Sequence, residues 1–465
     1  MRNVSTPQTP PTVRELAIWG GAGKLPAPAL GALPISGVSN DSRTIGPGQV
    51  FVALTTEKDD GHRYVAKALQ RGAVAALVAR GKTDMVSAGD QKKLIVVADP
   101  LTALHRMALK YRLRLAIPII GITGSSGKTT ARGFIAAVLK QSLCVGETSG
   151  NLNNHIGVPL SLLKFTGKED VGVIEMGANH AGEIHRLSRT VRPTIGVVTN
   201  IGYAHIGYFG SLGATTRAKL EIIDGMKRRG GFLMLNGDDT RLVGAARKIE
   251  QQVVFFGFSR RCHIRACNAA VIGADRTVFN VEGEEYRLGM PGRHFIYSAL
   301  SAIYIGRHFG IEQGLIADAL ASMKPIAMRG TVERKSGSTF IVDCYNANPS
   351  SMKSAIGFLS DMSGKARKVA VVGDMLELGA YSRRLHEALG KQLAEAKVER
   401  ILAVGAFGQN IADGAVRAGM RQSNIIIAPD SAAAVSEAKT MVRPGDVVLL
   451  KGSRGVHLET VLEGF

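Results

Sequence analysis

The chain has 465 residues, of which 45% are hydrophobic and 21% charged, and carries a net charge of +20. That length is too great for one core and predicts about three domains, while the composition is ordinary for a globular protein. The excess charge is spread along the chain and aromatics are only 5%, which argues against a nucleic-acid-binding stripe with stacking platforms. No apolar run reaches the roughly 18–20 residues of a membrane span.

Residues 1–35 hold Pro7, Pro10, Pro11, Pro26, Pro28 and Pro34 and no continuous apolar segment, so a secretory signal is not expected. They read as a loose lead-in with one short helix near 13–19. Segments 50–54 and 75–78 read as strands, with a helix over 64–71 between them. Cys144, Cys262, Cys267 and Cys344 are scattered without zinc-site spacing, which fits a reducing, cytoplasmic setting. Lys227-Arg228-Arg229 and Arg260-Arg261 read as solvated surface.

The apolar run Ile117-Pro118-Ile119-Ile120 leads into Gly121-Ile122-Thr123-Gly124-Ser125-Ser126-Gly127-Lys128-Thr129-Thr130, and a helical pattern follows over 131–139. Strand, glycine-rich turn, Lys-Thr and helix together cradle a nucleoside triphosphate. Backbone N–H groups meet the phosphates, Lys128 reaches the outer ones, and the Thr129 hydroxyl suits Mg²⁺. The glycines fall at 121, 124 and 127, and Ile122 stands where the usual G-x-x-x-x-G-K-T spacing has its first glycine.

Strands at 171–175, 195–199 and 232–235 alternate with helices at 181–188 and 214–226, the pattern of a parallel sheet covered on both faces. Shorter alternating segments over 262–289 predict antiparallel strands at one edge. After Pro325, strands at 340–343, 369–373, 401–405, 425–427 and 447–450 predict a second doubly wound sheet, without a dinucleotide fingerprint. The expected division is 1–116, 117–327 and 328–465.

Ligands in such sheets sit beyond the carboxyl ends of the strands. Glu175 and Thr199-Asn200 close two central strands, and His205 follows the second. Thr129, Glu175 and His205 form a candidate Mg²⁺ set in which the imidazole is the odd member. Lys219, on residues alone, reads as a solvated helix lysine. The stretch 343–351 is a loop of amides before a helix capped by Asn348 or Ser350. Arg329 lies at the joint between the second and third units, placed either to swing onto phosphates or to form an interdomain salt bridge.

From about residue 36 to 455 the chain resembles the Mur ligases. The carrying motifs are Asp41-Ser42-Arg43, 47–54, Asp60-Gly61-His62, 121–130, 150–159, 175–179 and 199–221. The late ones are 345–350, Gly373-Asp374-Met375-Leu376-Glu377-Leu378-Gly379 and Lys451-Gly452-Ser453-Arg454. The Asn-Ala-Asn-Pro and Gly-Asp-Met-Leu-Glu-Leu-Gly segments resemble the branch that adds D-alanyl-D-alanine to UDP-N-acetylmuramoyl-tripeptide. The Asp-Asn-Pro-Arg signature of the diaminopimelate- and lysine-adding branch is absent.

This resemblance implies an α/β protein of three domains: an N-terminal UDP-binding domain, a central P-loop-type ATPase with a parallel sheet, and a C-terminal Rossmann-like domain. ATP would activate the tripeptide carboxylate as an acyl phosphate, which the dipeptide amine then attacks. By the same resemblance Lys128, Lys219, His205 and Arg329 are catalytic. Gly124, Ser125, Ser126, Gly127, Lys128, Thr129, Thr130, His294, Asp343, Tyr345, Asn346 and Asn348 hold the nucleotide. Ser42, Arg43, Asn153, Asn154, Lys451 and Arg454 hold the UDP-peptide substrate. Two Mg²⁺ ions are implied, one on Thr129 and Glu175, the other on His205 and a carbamylated Lys219. No nucleic acid, no transmembrane segment and a monomer are expected. The chain departs from the family at Phe295 and Ser298, where asparagines usually read the adenine, and at Gly207, where an acid is usual.

Overall fold

The computed structural model describes residues 9–227, 230–273 and 275–465. The first eight residues of the lead-in, and Arg228 and Arg229 of the basic cluster, lie outside them.

The N-terminal sheet has four parallel strands in spatial order β1 (Gly37–Ser39), β2 (Gln49–Val52), β3 (Ala75–Ala79) and β4 (Leu94–Val97). The short helix expected near 13–19 forms within the described part of the lead-in. A helix over Val13–Gly20, closed at its start by a Thr12–Glu15 capping box, buries Val13, Leu16 and Ala17 completely. It packs on the helix Pro100–Leu115. Val13, Leu16, Ala17 and Gly20 fall at helical i, i+3, i+4, i+7 spacing, a stripe that outweighs the prolines flanking it.

The central sheet comprises β5 (Ile119–Thr123), β6 (Val145–Glu147), β7 (Val171–Glu175), β8 (Ile195–Val198), β9 (Phe232–Asn236), β10 (Gln252–Gly257), β11 (Ile264–Ile272), β12 (Arg276–Val281) and β13 (Glu284–Leu288). Their order is β13-β12-β11-β10-β9-β8-β5-β7-β6. All pairs are parallel except β11–β12 and β12–β13, the edge that the alternating segments predict. The chain leaves β5 toward β7 on one side and returns to β8 on the other. A crevice therefore opens at the carboxyl end of β5, where a ligand is expected. The helix expected over 214–226 stops at Leu220, and a tight 3₁₀ turn over Glu221–Gly225 replaces its end.

The C-terminal sheet runs β14-β15-β19-β16-β17-β18, with β14 (Thr331–Lys335) antiparallel to β15 (Ser338–Val342). The parallel remainder is β16 (Lys368–Gly373), β17 (Arg400–Val404), β18 (Ile425–Ala428) and β19 (Val447–Lys451). β14 escapes a hydropathy reading because it is an edge strand with Glu333 and Arg334 exposed.

One continuous apolar cluster joins the N-terminal unit to one face of the central sheet, and the helix Ile296–His308 covers the other face. The buried Arg112 strengthens that joint by donating to Val191 O at 2.7 Å and Arg192 O at 3.2 Å, the free carbonyls ending the helix Glu183–Val191. Two further clusters cover the faces of the C-terminal sheet. One of them takes in Ile206 of the central unit.

Candidate active site

The phosphate loop leaves β5 with Gly124 at φ +144° and enters the helix Lys128–Leu139 through Gly127 at φ +77°. Polar residues ending β8 fasten it. Ser125 N donates to Asn200 O and Ser126 N to Asn200 Oδ1, each at 3.0 Å. The Thr199 hydroxyl donates to Ser126 O at 2.6 Å. Gly124 is required by this contact, since a Cβ there would lie 2.0 Å from Thr199 Oγ1. Lys128 Nζ donates to Gly124 O at 3.0 Å. Burial lowers its pKa, with the Arg329 guanidinium adding to the effect and Glu175 opposing it. A half-buried cation on a glycine-rich turn at a helix N-terminus suits a polyanion.

Glu175 closes β7 with 1% exposure. Its Oε1 accepts from Asn153 Nδ2 at 2.7 Å, and Arg132 Nη1 stands 3.6 Å from Oε2. Oε2 itself has no hydrogen-bond partner, and neither does the buried Thr123 hydroxyl. A buried carboxylate oxygen beside the phosphate loop, ion-paired to Arg132 and without a hydrogen bond, is an oxygen ligand that suits a hard cation.

Lys219 is not solvated. It is 1% exposed and donates to Ala178 O at 3.0 Å, behind the wall formed by 177–179. Burial, reinforced by Lys128, pushes its ammonium down to about 7. His205 caps the short helix Ile206–Phe209 at φ +56°, and Nδ1 lies 2.5 Å from Glu377 Oε2 of the C-terminal domain. Burial lowers its pKa against the opposing pull of the Glu377 carboxylate, and the charges of Lys128 and Lys219 add to the lowering.

Across the crevice the C-terminal domain completes a cleft of about 840 Å³. Arg329, Asp343, Tyr345, Asn346, Asn348 and Lys451 line it opposite Ser125–Thr130, Glu175, His205 and His294. The Arg329 guanidinium lies 4.0 Å from the Tyr345 ring centre. Lys451 Nζ donates to Asp343 Oδ2 at 2.6 Å and to Asn346 O at 3.1 Å. Asn348 is the helix cap, its Oδ1 accepting from Ser351 N at 3.0 Å ahead of Pro349. Burial pushes the His294 imidazole down to about 4.

The sequence-selected residues do not all meet here. Asn153 and Asn154 line the cleft, although Asn154 Oδ1 also serves Gly157 N at 2.8 Å. Lys219 stands just behind the lining. Ser42 is buried within the N-terminal unit, and Arg43 is exposed and paired with Asp41 at 2.8 Å. Arg454 pairs with Glu459 at 2.7 Å outside the lining. Phe295 and Ser298 are both buried in the cleft wall, Phe295 at 4% exposure with its ring stacked on Phe134 at 6.4 Å.

Sequence reasoning missed Asn236, whose amide donates to Thr199 O at 3.0 Å, and Asp238, which accepts from Tyr297 Oη at 2.9 Å. Both line the cleft. The strand-end rule that selected Glu175 finds Asn236 too, since it closes β9.

Three family descriptions match successive parts of the chain: Mur ligase family, catalytic domain, over 34–112; Mur ligase middle domain, over 122–306; and Mur ligase, glutamate ligase domain, over 328–454. The UDP-N-acetylmuramoyl-tripeptide–D-alanyl-D-alanine ligase of Bacillus subtilis is 35% identical over 444 residues, covering 95% of each chain. The crystal structure of MurF from Acinetobacter baumannii superposes with a TM-score of 0.87 at 29% identity, covering 98% of this chain and 99% of that one. MurF ligase from Thermotoga maritima in complex with ADP gives 0.81 at 28% identity, covering 92% and 96%. With matches across all three units and identity above 30% over nearly the whole chain, the protein belongs to the Mur ligase family.

Proposed function

We propose that the protein joins D-alanyl-D-alanine to the terminal carboxylate of UDP-N-acetylmuramoyl-tripeptide, consuming ATP and releasing ADP and phosphate, in peptidoglycan precursor synthesis. The observation that carries this is the single cleft in which the Lys128 phosphate loop faces Arg329 and the amide-rich loop 343–348. A carboxylate oxygen of the tripeptide attacks the γ-phosphorus and ADP departs, leaving an acyl phosphate. The dipeptide amine then attacks the acyl carbon. The tetrahedral adduct loses a proton from nitrogen and expels phosphate as the amide forms. Both anions must approach closely, and Lys128 and Arg329 offset their repulsion while holding the reacting atoms in place.

Mg²⁺ fits the residues present. Glu175 Oε2, which accepts no hydrogen bond, and the Thr129 hydroxyl offer oxygen ligands beside the phosphate loop. Among the described residues no three His, Cys, Asp or Glu side chains gather into a metal cluster, as suits an ion that keeps phosphate oxygens and waters as ligands. Bound there, the ion supplies charge neutralisation for the phosphates. A second ion would take His205 and Lys219 in its carbamate form, which needs the neutral amine that burial favours. We place the nucleotide along 124–130, His294, Asp343, Tyr345, Asn346 and Asn348. The UDP-peptide we place on Ser42, Arg43, Asn153, Asn154, Lys451 and Arg454.

The same reading takes 1–116, 117–327 and 328–465 as the three domains, a monomer as the working unit and the cytoplasm, where ATP is, as its location. No helix among the described residues is long and apolar enough to cross a membrane. The test is ADP release from Mg-ATP and UDP-N-acetylmuramoyl-tripeptide, with and without D-alanyl-D-alanine. Turnover that requires both supports the reading, and turnover independent of the dipeptide overturns it.

A further inference from the structure

The segment Gly373–Gly379 faces the central domain, and the mechanism above does not use it. It is pinned from behind. Asp374 accepts from Ala406 N and Phe407 N at 2.9 and 3.0 Å, Met375 N donates to His386 Nε2 at 2.9 Å, and Leu376 N donates to Ser453 Oγ at 2.9 Å. Met375 and Leu378 are buried in the C-terminal core. Glu377, between them, is held at φ +62°.

This rigid loop meets the helix Ile206–Phe209 of the central domain at one close point. Gly207 N donates to Glu377 O at 3.0 Å. A Cβ on Gly207 would lie 2.8 Å from Gly379 N and 2.9 Å from Glu377 O, so only glycine admits the loop. Ile206 is fully buried in the C-terminal core, and Tyr381 Oη donates to Gly210 O at 2.7 Å. Through this gap the Glu377 carboxylate reaches His205 Nδ1 at 2.5 Å. The contact is not yet aligned as a hydrogen bond, and Nδ1 is otherwise without a partner. His205 at φ +56° and Glu377 at φ +62° are both non-glycine residues in the left-handed region. Two strained residues from different domains that meet only by touching mark a functional contact.

We propose that Glu377 is a positioning residue for His205, and that Gly207 is the gap that admits it, so the His205 side of the ATP site is completed only when the C-terminal domain is docked. The carboxylate engages Nδ1 and so turns Nε2 toward the cleft. The inference rests on the ligase reading.

Glu377→Gln and Gly207→Ala test it, each assayed for kcat and KM beside the wild type and measured by small-angle X-ray scattering without ligands. Glu377→Gln keeps the backbone contact, so its scattering should match the wild type. Its kcat should nevertheless fall by about 10- to 100-fold with KM for ATP little changed. Gly207→Ala removes no charge and should enlarge the radius of gyration while lowering kcat. Wild-type kcat in Glu377→Gln, or unchanged scattering in Gly207→Ala, overturns the proposal. If the wild type itself fails to ligate, the function reading falls, and the scattering comparison still decides whether the 207–377 contact docks the domains.

Discussion

A methyl group at residue 124 has nowhere to go. Gly124 lies at φ +144°, and an alanine Cβ would stand 2.0 Å from Thr199 Oγ1 and 3.1 Å from Thr199 N. The backbone conformation alone costs about 1–3 kcal/mol for an L side chain. The overpacked contact adds about 1–3 kcal/mol, relieved only by moving the loop or rotating Thr199 off Ser126 O. Either movement displaces the N–H groups that face the phosphates. Gly124→Ala is therefore expected to weaken Mg-ADP binding by at least about 2 kcal/mol, the sum of the two lower limits, or about 30-fold. Isothermal titration reads this, with thermal melting as a check on folding. Removing the obstructing hydroxyl in Gly124→Ala/Thr199→Ala should return part of the lost affinity. Wild-type affinity in Gly124→Ala would refute the view that this loop geometry is the nucleotide-binding one.

Lys128→Ala is expected to abolish ligation, and near-normal turnover would remove Lys128 from the phosphate cradle. Lys219→Ala should lose activity and regain part of it with added short carboxylic acids; full activity without them would show that no carbamate is needed. Arg329→Ala should lower kcat more than ATP affinity, and the reverse split would place the guanidinium in ground-state binding. His105, whose ring nitrogens meet Thr190 Oγ1 at 3.0 Å and His155 O at 2.7 Å, is pushed by burial from 6.5 to about 4. As pH falls from 6.5 toward 4 the unfolded chain takes up a proton that the native ring refuses. Stability present above pH 6.5 is thus lost on acidification, by up to about 3 kcal/mol. Calorimetry of His105→Gln should show a shallower acid-side loss, and parallel profiles would exclude His105 as the cause.

The central chemistry was legible in the sequence because its signals are local. A strand, glycines at 121, 124 and 127, Lys128-Thr129 and a helix identify a phosphate cradle from ten adjacent residues. Glu175 follows from the rule that strand ends bear ligands, and its buried Oε2, which accepts no hydrogen bond, agrees. Lys219 is the opposite case. Its helix has no apolar stripe that would betray its depth, so residue type alone suggested solvent. Only the packing of 177–179 over it removes water and pushes its ammonium down to about 7.

The helix near 13–19 is legible in the sequence, but its partner, the helix Pro100–Leu115, lies some ninety residues on and only the packing reveals it. Sequence by itself determined the three-unit α/β order, the phosphate loop and the family, since strand periodicity and motif spacing are properties of short stretches. Only the tertiary structure decided that Arg329 and the 343–348 loop face Lys128, that Phe295 stacks on Phe134 in the cleft wall, and that Gly207 gives Glu377 its way to His205. Those pairings join residues tens to hundreds of positions apart across domain boundaries, where no local pattern carries their register.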